Sequence, residues 1–265
     1  MSIPIQMDRV GENLALSFLA VAAKGGDIPQ DPSSLTLPSA INSIPTSGAP
    51  LGALGDLSPG DIFHIPYGTG LMPHRIVRDN GMPIGGQYPG WQTDCILFMQ
   101  ERIITGEAWG ANHNDYSTSF HDAFLNTTYL GRYPEWVQNA LLEGGIPVTV
   151  NNTPQVVNIV RKVFSPSLVE LGLSAATPLG QPFNPNMFTN NESRIGLLLD
   201  TLQANAYSSR NLHLTQGTNT ISFSATGTTV NVAVSALNSS RIRPFMCLPP
   251  TMKVATIGGH KILVP

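Results

Sequence analysis

Apolar and polar positions change period three times along the chain. In "LALSFLAVAA", residues 14–23, Leu14, Phe18 and Val21 recur at i, i+4 and i+7 and Gly25 follows as a stop. That spacing predicts an amphipathic helix over roughly residues 9–24, too short to span a bilayer. Its flank, "MDRVGEN", mixes acid with base, unlike the basic start of a secretory signal. Residues 26–59 then lose any apolar period and fill with Pro, Ser and Gly. Structureless stretches of that length are uncommon inside compact domains, so they predict an extended arm laid on a neighbouring surface. From residue 61 the short β-branched and aromatic runs "DIFHIPY", "HRIVRD", "CILFM" and "RIITGEAW" predict strands.

The middle of the chain reads as helical. "RYPEWVQNALLEGG" places Pro134 at a first helical position and Gly144 at the stop. "NESRIGLLLDTLQANAY" predicts the best helix, with Ile195, Leu198, Leu199 and Leu202 on one face. "TPQVVNIVRKVF" fits a helix or a buried strand, and "SPSLVELG" a short capped turn. Alternation returns in "TISFSATGTTVNVAVSAL", with Ile221, Phe223, Val230, Val232 and Val234 predicted on one apolar face. "MKVATIGGHKILV" predicts a hairpin turning at Gly258 and Gly259. The expected fold is α+β and β-rich, an antiparallel sandwich-like core with several helices inserted mid-chain. Residues 1–59 form the N-terminal helix and arm; residues 60–265 form the globular domain, β-rich over 60–110, helical over 117–207 and hairpin-built over 212–265.

Composition sharpens this picture in one respect. Charged residues make up only 12% of the chain, about half the usual share. Lys24, Lys162, Lys253 and Lys261 are the only lysines, and 25 Gly and 22 Pro accompany abundant Ser, Thr and Asn. A surface of amides and hydroxyls costs less to desolvate against another protein than a charged one. The formal net charge of −3 and the scattered arginines exclude nucleic acid as a main partner. Cys95 and Cys247 both sit among apolar residues, as one disulfide or two buried thiols.

The densest reactive patch is "GANHNDYSTSFHDAF", residues 110–124. Ser119 and Asp122 fit the spacing of a helix-capping box, Phe120 and Phe124 an i, i+4 buried pair. Asn112, Asn114 and Asp115 are turn formers. His113 and His121 remain, and with His64, His74 and Asp115 they are the candidate acid–base or metal cluster. No two of these histidines follow the HxH or HxxxH spacing that brings two rings to one face. Asp94, Glu101 and Glu107 flank a predicted hairpin beside Trp109, an arrangement compatible with glycoside chemistry. There is no GxSxG and no Gly-rich phosphate loop. Sequons at Asn126, Asn151, Asn191 and Asn238 match chance for this composition.

"LSPGDIFHI" followed by "HRIV" resembles the β-sheet portion of NlpC/P60-type cysteine peptidases, which pair a Pro-Gly-Asp turn with a strand bearing the catalytic His. Those enzymes place their nucleophilic Cys upstream, whereas no Cys precedes Cys95 here. The resemblance therefore implies no peptidase site.

Two functions follow as expectations. The first is a structural assembly subunit, most sharply a virion component (capsid, decoration or tail protein), found in a virion or extracellular particle after cytoplasmic synthesis. It has no catalytic, cofactor or metal residues, no membrane span and no direct nucleic-acid contact, and its partners are copies of itself and other structural subunits. The alternative is an extracellular or phage-encoded hydrolase or carbohydrate-binding domain that uses His64, His74, His113, Asp115 and His121, with a glycan stacking on Trp91, Trp109 or Trp136.

Overall fold

The computed structural model describes residues 50–68, 70–83, 87–107, 115–150, 153–212, 219–233, 241–257 and 259–265. The predicted N-terminal helix, the arm up to residue 49, His113 and Trp109 lie outside the described residues. The chain is α+β and strongly β-dominated, as its patterning predicts. In chain order come β1 (Leu51–Ala53), β2 (Ile62–Tyr67), β3 (Gly70–Arg78), β4 (Ile96–Gln100) and β5 (Arg102–Thr105). Two short helices, α1 (Phe120–Phe124) and α2 (Glu135–Ala140), precede β6 (Gly144–Thr149), β7 (Val156–Arg161) and β8 (Val163–Phe164). Then follow β9 (Gly196–Leu198), β10 (Ala204–Asn205), β11 (Tyr207–Leu212), β12 (Asn219–Phe223) and β13 (Thr229–Ala233). The last are β14 (Arg241–Ile242), β15 (Phe245–Leu248), β16 (Lys253–Ile257) and β17 (His260–Val264).

An eight-stranded sheet in the order β1-β16-β17-β2-β3-β4-β15-β8 forms the body. Its pairs are antiparallel except β17–β2. Ile65, Ile76, Phe98 and Phe245 are fully buried within it. Residues 50–59, assigned to the arm from sequence, belong to this body. Leu51 pairs with Ala255, while Leu54 and Leu57 enter the core.

Strands β4 and β5 are consecutive, as are β14 and β15, and both pairs turn from the large sheet into a four-stranded one ordered β10-β9-β5-β14. The two turns meet: the Gln100 backbone N–H donates to Pro244 O at 2.9 Å, and Arg243 Nε donates to Gln100 O at 3.2 Å. Glu101 sits in this corner, gripped by two 2.7 Å bonds from Arg75 and lying 3.7 Å from Arg243. Burial works to raise its pKa, but the two guanidiniums outweigh it and hold the carboxyl below its ordinary value.

Several predicted elements stand. The ambiguous "TPQVVNIVRKVF" is strand, "SPSLVELG" is a turn closed by left-handed Gly172, and "MKVATIGGHKILV" is the β16–β17 hairpin. Helix α2 follows Pro134 but ends at Ala140, and β6 begins at Gly144.

Three elements differ. The helix predicted over "NESRIGLLLDTLQANAY" is instead a single turn at Glu192–Arg194 followed by β9, a reversal at Leu202 (φ 56°), and β10. Arg194 pins its start by donating to Leu171 O, Gly172 O and Phe188 O, and β9 then pairs in parallel with β5. Tertiary pairing overrides the helical period. In the β12–β13 hairpin Phe223 pairs with Thr229 across an odd-numbered turn, so Ile221 lies opposite Asn231 and Val230 opposite Ser222. This register differs by one residue from the one that the predicted single apolar face requires, and Val234 lies outside the described residues. Finally, Ser119 caps α1 as predicted, accepting from Asp122 N at 3.0 Å, but Phe120 is 55% exposed while Phe124 is buried.

Strands β6 and β11 and the chain after β8 meet at a fully buried ion pair, Arg210 of β11 with Glu170 of the turn after β8. Arg210 also donates to Pro147 O at 2.9 Å and Ser165 O at 2.8 Å. Glu170 accepts from Tyr88 Oη at 2.7 Å and Ser167 N at 2.8 Å. Gly180 (φ 76°) is required beside the pair, because a Cβ there would strike Tyr88 Oη and Glu170 Oε1. Glu170→Ala leaves the guanidinium buried without its counter-charge, and is expected to cost about 3–5 kcal/mol of stability in urea unfolding. Combining it as Glu170→Leu with Arg210→Met should recover most of that loss, because an apolar pair needs no compensation.

Candidate functional site

The candidate histidines occupy separate places. His64 of β2 turns its Nδ1 to Lys261 O at 3.3 Å and packs edge-on against His260. His74 of β3 lies in the core, with Nδ1 2.9 Å from Met72 O and Nε2 3.0 Å from Tyr133 Oη. His121 of α1 is equally buried, its Nε2 2.6 Å from Ser165 Oγ and its Nδ1 3.3 Å from Glu107 O. Asp115 precedes the turn at Tyr116–Thr118. Among the described residues no group of three His, Cys, Asp or Glu side chains is placed to hold a metal ion.

His121 and Ser165 form a contact of the kind a nucleophile and its base make. Both are fully buried, and burial lowers the imidazole's pKa to about 4. His74 belongs to a longer buried chain. It contacts Tyr133, whose hydroxyl meets Tyr129 Oη at 2.6 Å, and Tyr129 donates to Gln100 Oε1 at 2.6 Å. Burial lowers the His74 pKa to about 3 and raises those of Tyr129 and Tyr133 well above normal. These contacts join His74, Tyr133, Tyr129 and Gln100 into one buried polar chain.

The three carboxylates of the glycoside reading are likewise dispersed. Asp94 is exposed in the turn before β4, Glu101 is bound in the sheet corner, and Glu107 borders a cleft. Trp91 spends its indole N–H on Gly145 O at 2.9 Å and packs on Phe164. Cys95 and Cys247 are buried, unbridged thiols that lie within hydrogen-bonding reach of each other.

Sequence reasoning missed the cleft itself. It opens where the β2–β3 hairpin, β5, α1 and the segment after β9 converge, and encloses about 570 Å³. Leu71, Met72, Ile104, Phe124 and Leu199 form its apolar lining. Arg132 stands at its border over the Tyr67 ring, 5.9 Å from the centroid, with Nη1 3.5 Å from the Tyr67 hydroxyl. Burial raises the Tyr67 pKa to about 12 despite that guanidinium, so the phenol stays neutral. Among the described residues Arg132 forms no ion pair with a carboxylate. Such a cleft can bind a small ligand, and among the described residues its lining brings together no nucleophile with a base. No local motif announces it, because its lining comes from segments far apart in sequence.

The fold and these sites define a β-dominated module whose reactive side chains are largely spent on internal contacts. The chain belongs to the family described as "Domain of unknown function (DUF6273)", whose model matches residues 93–250. That segment runs from the turn before β4 to just past β15, and includes α1, α2 and both partners of the buried ion pair. No curated protein and no solved structure matches the chain. Among the described residues no helix is long and apolar enough to cross a membrane.

Both buried histidines make stability depend on pH, with a definite sign. Their folded pKa values lie below the ordinary 6.5, so the unfolded chain binds more protons as pH falls. Stability should therefore be complete above about pH 6.5 and decline continuously toward pH 4, by about 2 kcal/mol per histidine at pH 5. Urea midpoints at pH 7 and pH 5 measure the decline, and His121→Asn should remove about half of it, leaving the share of His74.

Proposed function

We propose that this chain is a structural assembly subunit, in its sharpest form a virion component such as a capsid, decoration or tail protein, acting through protein–protein interfaces. The observation that carries this function is the outward face of β7. Val156 and Val160 there are 43% and 57% exposed, on a strand that pairs only with β6 among the described residues. Exposed β-branched residues on an open strand are a liability that isolated proteins blunt with charge or proline. A chain with only 12% charged residues supplies little such protection. Copies of the chain and other structural subunits are the partners, without direct nucleic-acid contact, in a virion or other extracellular particle.

Light scattering on the purified protein tests this. A native mass that is a multiple of 28.3 kDa is expected, and Val160→Lys should lower it. A protein that stays at 28.3 kDa through the micromolar range is inconsistent with the proposal.

The apolar cleft bordered by Arg132 supports a second function, an extracellular or phage-encoded carbohydrate-binding or hydrolytic domain. It would work without His64, His74 and His121 as a group. Binding on a glycan array that disappears with Arg132→Ala and with the cleft-filling Leu199→Trp is the expected result. Identical arrays for the parent and both variants would remove it.

A further inference from the structure

The two edges of the β6–β7 sheet are treated differently. In an antiparallel pair, residues whose backbone groups point at the partner alternate with residues whose groups point away. On β6 the outward residues are identified by their bonds. Gly145 N donates to Pro89 O at 2.6 Å, Gly145 O accepts from the Trp91 indole at 2.9 Å, and Pro147 O accepts from Arg210 Nε at 2.9 Å. The outer edge of β6 is therefore closed by the body.

Register carries this parity across to β7. Gly145 faces Val160 and Pro147 faces Asn158, so these pairs exchange no bonds and the β7 members also turn their N–H and C=O outward. Val156, two residues from Asn158, shares that orientation. Of these six groups only Val160 O has a partner among the described residues, its neighbour Arg161 Nη1 at 2.8 Å. The same three residues carry the exposed side chains, while Val157 and Ile159 pack against the core.

Outward, then, β7 reads Val-Asn-Val, which is the same in both directions. A two-fold interface requires a surface complementary to its own copy. We infer that β7 pairs antiparallel with β7 of a second copy of this chain, about a two-fold axis at Asn158. Asn158 then faces Asn158 of the partner subunit, and Val156 faces Val160 of the partner subunit. All three register pairs are of the hydrogen-bonded kind, each valine meets a valine, and no charge is brought against its like. The Arg161 guanidinium withdraws from Val160 O, retaining its bonds of 2.6 to 3.0 Å with Asp122. This pairing rests on the assembly function and specifies one of its contacts.

Cross-linking in the full chain reads the register directly. Residues in a hydrogen-bonded antiparallel pair lie about 5.5 Å apart at Cα, inside the span of a disulfide, about 4.4–6.8 Å. Asn158→Cys should give a covalent dimer as the main product under mild oxidation by diamide. Each bond formed releases two thiol protons and two electrons, which reduce the diamide to its hydrazine. Val156→Cys and Val160→Cys should stay largely monomeric on denaturing gels, and the double variant should cross-link. The parent, whose Cys95 and Cys247 are buried, is the control. An oligomer by mass in which Asn158→Cys does not cross-link overturns the β7 pairing and leaves the assembly function standing. A monomer by mass that also fails to cross-link overturns both.

Discussion

The ion pair between Arg210 and Glu170 is the constraint on which the layers depend. Removing two charges from water costs several kcal/mol per ion, and only good geometry with every remaining donor and acceptor engaged offsets it. Here the engagement reaches widely. Through Pro147 it holds β6, through Ser165 and Ser167 the chain after β8, and through Tyr88 the loop after β3. Two further bonds reinforce it, the backbone bond from Arg210 N to Pro166 O and the bond from Leu168 N to the Asn211 side-chain Oδ1. An apolar core of equal volume would be at least as stable. What the pair contributes is placement, because its hydrogen bonds hold β6, β11 and the chain after β8 against one another.

The same rule governs the other reactive side chains. Glu101 fixes the corner between two sheets, and Asp122 is clasped by Arg161 while burial pushes its pKa upward. His74 and His121 stay neutral inside hydrogen-bonded chains. A catalytic site needs groups that are held and yet open to substrate. Among the described residues Glu101, Asp122, His74 and His121 are held by internal partners, while Val156, Asn158, Val160 and the cleft beside Arg132 face outward.

How much of this was legible in the sequence varies with the range of the forces involved. The β16–β17 hairpin and the Ser119 cap were readable because their determinants are a few residues apart. The stretch from Ile195 to Leu202 was misread because its helical spacing is real, while the partner that makes it strand, β5, lies about ninety residues upstream. Glu170 and Arg210 looked like ordinary charges in "SPSLVELG" and "YSSRNLHL". A lone acid or arginine in an apolar run is a usable hint, but its partner 40 residues away is not. The histidine grouping shows the converse: nearness in sequence puts His64 and His74 on adjacent strands, each with its own partners, while His113 lies outside the described residues.

The parallel contact of β17 with β2 has a kinetic consequence. Ile262 sits opposite His64, and the His64 ring reaches Lys261 O across 197 residues of chain. Because β17 stands between the β16 edge and the β2–β3–β4 meander, the large sheet cannot close until that distant loop has been gathered. The entropy of closing it is spent before any bond of the pair forms, which places this protein among slow-folding topologies. Until closure, β2 exposes an unpaired edge beside Phe63 and Ile65, and the nascent chain is most vulnerable to misassembly during that interval.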